Sequence, residues 1–273
     1  MKTYLTLALS LLMLGMVGCT TVSETGRRQL LLTSPAEESQ QGLAAFADIK
    51  QSEKVSTDAK ANTQVQRVGT RIRDSVIKSH AMPDAQWEFV VFDSDQVNAF
   101  ALPGGKVGVY TGLLKLVSSD DELAIVMGHE IAHVTSRHGG ERASQATLAN
   151  TAGQLGQAAL GATQYSDTTK NLILSAYGVG AQGTLLAYSR THESEADTIG
   201  MKFAAEAGYD PRAAVTFWKK MAAQSGGGQT SGISAMIAKW TSTHPPDAER
   251  IANLEKLAPK YQAVYEQAKL QYK

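Results

Sequence analysis

One cysteine, Cys19, stands in the 273 residues. A lone thiol closes no disulfide within the chain, so packing and polar networks must hold the fold. Charge of either sign is not in excess: 26 Lys and Arg face 26 Asp and Glu. No global field therefore draws nucleic acid or an anionic surface. Beyond the first twenty residues no apolar run is long enough to span a bilayer; the stretch 141–183, dominated by small residues, is broken by Gln145, Asn150, Gln154 and Gln157. No internal repeat is evident. A composition of 43% apolar and 19% charged residues is that of an ordinary globular chain, long enough to bury a full core in one main domain.

What is present begins with Lys2 and an apolar stretch from Tyr4 through Val17, interrupted mainly by Thr6 and Ser10. It is short for a permanent span and reads as a signal peptide of residues 1–18. Met16-Val17-Gly18-Cys19 resembles the lipobox of bacterial lipoproteins, departing from it at Met16, where Leu is usual. Acyl chains on Cys19 would tether the chain to a membrane. Thr20, in place of Asp, matches the pattern for sorting to the outer membrane. The expected location is thus the periplasm, with a lipid anchor. Residues 19–35 lack sustained periodicity and read as anchor and linker, leaving 36–273 as the folded domain.

Helical patterns follow around 36–52 and 58–79, the second with Val65, Val68, Ile72, Val76 and Ile77 on one face. Residues 87–92 are aromatic and β-branched, and 98–102 and 106–110 flank Pro103-Gly104-Gly105; these predict a strand and then a hairpin. From Gly112 onward the signals are helical. Ser119 and Glu122 are spaced as a capping box, and Gly139-Gly140 would close the helix between. Two loosely specified helices are expected in 141–183, and another over 189–207, stopped by Gly208. Asp210-Pro211 opens the next. The four glycines of 225–232 predict a loop. The fold class is α+β, predominantly helical, with a small β-sheet.

The chemistry concentrates in Leu123–Val134, where His129, Glu130 and His133 are the only polar side chains. A helix apolar all round belongs in a core, and buried imidazoles and carboxylates are costly unless paired. A bound zinc ion supplies that pairing. His129 and His133, four residues apart, share one helix face and can share a tetrahedral ion. Glu130 is placed to act on water. A catalytic zinc site usually takes a third protein ligand, for which the acidic run Glu193-Ser194-Glu195-Ala196-Asp197 offers candidates. Spacing puts Glu193 and Asp197 on one face but leaves Glu193 and Glu195 both open as the ligand. Asp197 would accept the second ring N–H of a ligand His and fix its tautomer.

Four motifs stand in order across most of residues 60–255: Asn98-Ala99-Phe100-Ala101-Leu102-Pro103-Gly104-Gly105; His-Glu-x-x-His followed by Arg137-His138; Ser189-Arg190-x-x-Glu193-x-x-x-Asp197; and His244-Pro245 with Arg250-Ile251. In these the chain resembles the gluzincin metallopeptidases that include HtpX, the mitochondrial Oma protease and the CAAX prenyl endopeptidases, above all their soluble bacterial lipoprotein members. The resemblance implies a zincin-like domain with one Zn2+ per chain, and it selects Glu193 as third ligand. It makes His244 either an oxyanion donor or a fourth ligand that blocks water. Glu130 becomes the base that takes a proton from water and passes it to the leaving amine. An edge strand at Asn98, Ala99, Phe100 and Ala101 would bind extended peptides through main-chain hydrogen bonds. The implied activity is cleavage of misfolded or misassembled envelope proteins. Rival readings are a periplasmic chaperone or assembly factor for outer-membrane proteins with gated proteolysis, and a structural zinc protein. Arg137, His138, Arg190 and His192 read equally as helix-end charges or solvated side chains, His80 as surface, and Phe217, Trp218 and Met221 as core.

Overall fold

The computed structural model describes residues 19–159, 189–225 and 232–272. The signal-peptide reading of 1–18, the second helix expected within 141–183 and most of the glycine loop at 225–232 lie outside the described residues. Helices dominate and surround one small mixed sheet, the α+β class expected.

The order begins with two short antiparallel strands, β1 (Cys19–Thr21) and β2 (Arg28–Leu30). Helix α1 (Pro35–Ser52) starts at a complete capping box between Ser34 and Glu37, and α2 (Ala59–Lys78) starts at Asp58, whose carboxylate accepts from the N–H groups of Lys60 and Ala61. Each such cap contributes about 1 kcal/mol. Along α2, Val65, Val68, Ile72 and Val76 are fully buried. Ile77 is 41% exposed, because one further residue turns it about 100° off that face.

Strands β3 (Glu88–Phe92), β4 (Ala99–Leu102) and β5 (Lys106–Tyr110) form the sheet in the order β3-β5-β4. β3 runs parallel to β5, and β4 antiparallel, the turn between them using Gly104 and Gly105 at φ 89° and 83°. L residues rarely adopt that conformation. β4 is an edge strand, so its outer main-chain groups face no other strand among the described residues. A short α3 (Thr111–Leu114) leads to α4 (Asp120–Thr135), which packs along β4. Then follow α5 (His138–Ala159), α6 (Arg190–Glu206), α7 (Ala213–Ser225), α8 (Ile233–Thr241), α9 (Ala248–Ala268) and a 3-10 turn.

Three local expectations are corrected. Residues 19–35 are not a plain linker: β1 and β2 pair, Val22 and Leu31 are buried, and the folded part begins before Pro35. The strands are too short and polar for periodicity to reveal them. The capping box at α4 is half formed. Ser119 caps the N–H of Glu122, whereas the Glu122 carboxylate accepts from the Ser118 N–H and from Lys220 at 2.5 Å. Gly139-Gly140 does not close α4 but lies inside α5. The break falls at Arg137, with φ 54°, whose guanidinium is gripped by the buried Glu38 and the Thr33 carbonyl. Gly140 is needed instead for clearance, since a Cβ there would meet the Glu38 carboxylate at 2.2 Å.

Helices α4 and α6 cross glycine against glycine. A Cβ on Gly128 would meet the Gly200 carbonyl at 2.7 Å, and one on Gly200 the backbone N of His129 at 2.6 Å. That close crossing brings the acidic run of α6 against the histidines of α4.

Candidate metal centre

Every polar side chain of α4's central turns points into one buried cluster. His129, Glu130 and His133 are 2–6% exposed, and Glu193 of α6 and His244, from the loop between α8 and α9, are buried with them. The His129 Nε2 to His133 Nε2 distance is 3.0 Å, and His129 Nε2 to His244 Nδ1 is 3.3 Å. The Glu193 oxygens lie 3.4 Å from His129 Nε2, 3.4 Å from His133 Nε2 and 3.2 Å from His244 Nδ1. Four donor atoms thus gather within 4.8 Å of one another. A tetrahedral ion with bonds of about 2.0–2.1 Å has donor–donor edges of about 3.3 Å, close to these separations.

The ring protons sharpen that match. His129 Nδ1 lies 3.0 Å from Asp197 Oδ1, and a carboxylate only accepts, so the ring's proton sits on Nδ1 when it carries one. Nε2 then presents a bare lone pair towards its partner on His133. Two lone pairs 3.0 Å apart repel unless a proton or a cation lies between. Without a metal, a proton fills this role: burial pulls His129 towards neutrality, but the charges of Glu193 and Asp197 outweigh it and raise its pKa to about 9. Burial pushes His133 well below the usual imidazole range. Glu193 is also opposed by burial, yet His244 and His129 beside it hold its carboxyl well below the usual range. Three imidazole nitrogens and a carboxylate form a donor set that suits zinc.

Asp197 is itself held. Arg250, buried on α9, donates from Nε and Nη2 to its two oxygens at 2.8 and 2.7 Å, and from Nη1 to Glu193 Oε2 at 2.9 Å. The guanidinium lies 3.6 Å above the Trp218 ring, which stacks in turn on Trp240 at 5.3 Å. The aromatic stripe of α7 is core, as expected, and it also floors the site. Arg250 carried no role in the sequence reading, because its partners lie 53 and 57 residues away and no local spacing signals them.

Glu130 differs from its neighbours. Its Oε1 has no hydrogen-bond partner and faces His244 Nε2 at 3.6 Å, while burial raises its pKa. A carboxyl of that kind, uncommitted and raised, is suited to carry a proton. β4 runs beside α4 with Ala99 and Ala101 towards the larger core and Phe100 packed among Phe46, Phe92 and Tyr110. The Phe100 ring is therefore committed to the fold, and what the strand offers a ligand is its main chain.

A second polar cluster lies directly behind His133, and it corrects the solvated reading of His138 and His192. Both are buried and stack on each other at 4.3 Å. His138 Nε2 lies 2.8 Å from Glu195 Oε2 and its Nδ1 2.8 Å from His133 Nδ1; His192 Nε2 lies 3.1 Å from Glu141 Oε2. Arg27, between β1 and β2, binds both acids: Nε to Glu195 at 2.7 Å, Nη2 and Nη1 to Glu141 at 2.7 and 3.1 Å. Thr25 also donates to Glu195. Despite its burial, Glu195 is drawn down to about 2 by His138, Thr25 and Arg27. Burial lowers His138 to about 4, so the ring is neutral. His80 is exposed, as expected, and the exposed Arg190 meets Glu249.

This architecture and donor set define a metallopeptidase-like domain. The profile described as Peptidase family M48 matches residues 59–258, and the chain belongs to that family. Over 193 residues it is 34% identical to the mitochondrial metalloendopeptidase OMA1 of Schizosaccharomyces pombe, covering 71% of this chain and 53% of that protein. It is 37% identical over 183 residues to the metalloendopeptidase OMA1 of Bos taurus, covering 64% and 33%. It is 35% identical over 142 residues to the beta-barrel assembly-enhancing protease of Yersinia pestis, covering 51% and 29%. The chain spans about half or less of these relatives.

Proposed function

We propose that the chain is a zinc-dependent endopeptidase of the bacterial cell envelope. The observation that carries this is the buried His129, His133 and Glu193 set with Glu130 beside it, whose Oε1 has no hydrogen-bond partner. Zinc held there would lower the pKa of water and polarise the scissile carbonyl. Glu130 takes the water's proton and delivers it to the leaving amine. His244 Nε2, 3.6 Å from Glu130, is in place to donate to the developing oxyanion when that nitrogen carries a ring proton. The edge of β4, which pairs with no further strand among the described residues, holds an extended peptide through Asn98, Ala99, Phe100 and Ala101, main chain to main chain, which favours unfolded substrates of varied sequence.

Cys19 would anchor the chain by lipid to the outer membrane, facing the periplasm. That location rests on the N-terminal sequence alone. The relatives named beta-barrel assembly-enhancing protease support misassembled outer-membrane proteins as substrates and the assembly machinery as partner. A second reading is a chaperone or assembly factor with gated proteolysis, and it is favoured by one observation: His244 Nδ1 completes the four-donor set. A fourth protein ligand there would leave no open position for water on a four-coordinate zinc.

Glu130→Gln tests the enzyme reading. It should retain zinc and lose at least 100-fold in cleavage of an unfolded protein such as casein. Undiminished cleavage contradicts the role of Glu130, and rescue of a deletion strain by the inactive variant favours the assembly factor. Cys19→Ser should leave the membrane fraction, and wild type should take up labelled fatty acid; failure of both removes the anchor.

A further inference from the structure

His129 and His133 each need their second ring nitrogen occupied, and among the described residues only His129 has a carboxylate against that nitrogen. His133 Nδ1 faces another ring nitrogen, His138 Nδ1, at 2.8 Å. One proton serves that contact. If His133 is to offer Nε2 to a metal, its own proton must be on Nδ1, donating to His138. His138 Nδ1 is then the acceptor, and its proton stands on Nε2, donating to Glu195 Oε2 at 2.8 Å. Glu195 accepts there, and it is fixed from the segment between β1 and β2 by Arg27, which donates from Nε to the same Oε2, and by Thr25, which donates to Oε1. The opposite proton order would put His133's proton on Nε2, among the other donors, and close that atom to a metal.

We propose that Arg27, Glu195 and His138 are positioning residues for the metal: a relay that starts in the N-terminal hairpin and sets the tautomer and ring orientation of His133. The inference rests on the zinc reading above and deepens it. It also gives the N-terminal segment a task, since Arg27 crosses from the hairpin to both α5 and α6 through Glu141 and Glu195. Outer partners of ligand histidines commonly contribute 10–100-fold in metal affinity.

The test is zinc affinity of the full chain by competition with a chromophoric chelator, with Arg27→Met, Glu195→Met, Glu195→Gln and His138→Phe beside wild type. The expected order is a loss of about tenfold or more for Glu195→Met and His138→Phe, with partial rescue in Glu195→Gln, whose amide oxygen still accepts from His138. Arg27→Met should lose a few-fold, and its cobalt-substituted form should show a shifted visible spectrum. In zinc-loaded wild type, long-range proton–nitrogen spectra should place the His133 ring proton on Nδ1. Variants that bind zinc within twofold of wild type, with an unchanged cobalt spectrum, overturn the relay, as does a His133 proton found on Nε2. Should His138→Phe fail to fold, Arg27→Met and the Glu195 pair decide. A wild type that binds no zinc instead overturns the zinc reading, and the relay with it.

Discussion

His129 and His133 stand one turn apart on α4, yet they are braced from different parts of the chain. Behind His129 the support is compact: Asp197 from α6, Arg250 from α9 and the Trp218 ring, all within the family-matched region 59–258. Behind His133 the support is longer and leaves that region, passing through His138 and Glu195 to Arg27 at position 27. The first arm is a charged pair sealed in the core. The second ends at a side chain 21% exposed, in a two-stranded hairpin. The difference implies unequal strength: the Asp197 arm is rigid and costly to break, while the Arg27 arm ends at the partly exposed hairpin and is the easier to disturb.

The largest predicted effect falls on the compact arm. Asp197→Asn should cost about 3 kcal/mol in urea unfolding, because it leaves Arg250 buried with half its partners, and zinc affinity should drop 10–100-fold. Equal damage from Asp197→Asn and Arg27→Met would erase the contrast. Next is the crossing both arms depend on. Gly200→Ala drives a Cβ into the His129 backbone and should destabilise by roughly 1–3 kcal/mol or more, with zinc affinity falling in parallel.

The pH dependence of metal binding separates the arms further. His129, with a pKa of about 9 in the metal-free protein, is protonated below that value and must lose its proton to bind, whereas His133 is already neutral. Zinc affinity should therefore climb by about tenfold per pH unit from near neutrality towards 9. A flat titration contradicts the proton assigned to His129. The smallest effect is an acid response of the hairpin. Glu195 sits at about 2 against an ordinary 4.5, so its contacts stabilise fully above 4.5 and are lost as the pH falls towards 2. Pepsin should cut the metal-free chain near Leu30–Leu32 progressively faster over that interval, and Arg27→Met should already be cut at its upper end.

What could be read without coordinates was what lies close in sequence. His129 and His133 declare themselves by a four-residue spacing in an apolar helix, whereas spacing on α6 put Glu193 and Asp197 on one face but left Glu195 open beside Glu193, a choice that only the family resemblance made. The hairpin around Gly104 and Gly105 is written in its turn residues. Pairings across long separations leave no such trace: Arg250 meets Asp197 over 53 residues and Arg27 meets Glu195 over 168. Gly139-Gly140 misled for a related reason, since the glycine serves clearance from Glu38, a residue on α1, rather than a helix end. Likewise His138 and His192 look like helix-terminal charges until the crossing of α4 and α6 buries them together.

The central claim is that His129, His133 and Glu193 hold one zinc ion. Calorimetric titration of the metal-free full chain with zinc tests it most directly, run beside Glu193→Gln. The account predicts one equivalent bound tightly by wild type and binding weakened by orders of magnitude in the variant. No binding by wild type, or equal binding by both proteins, would contradict it.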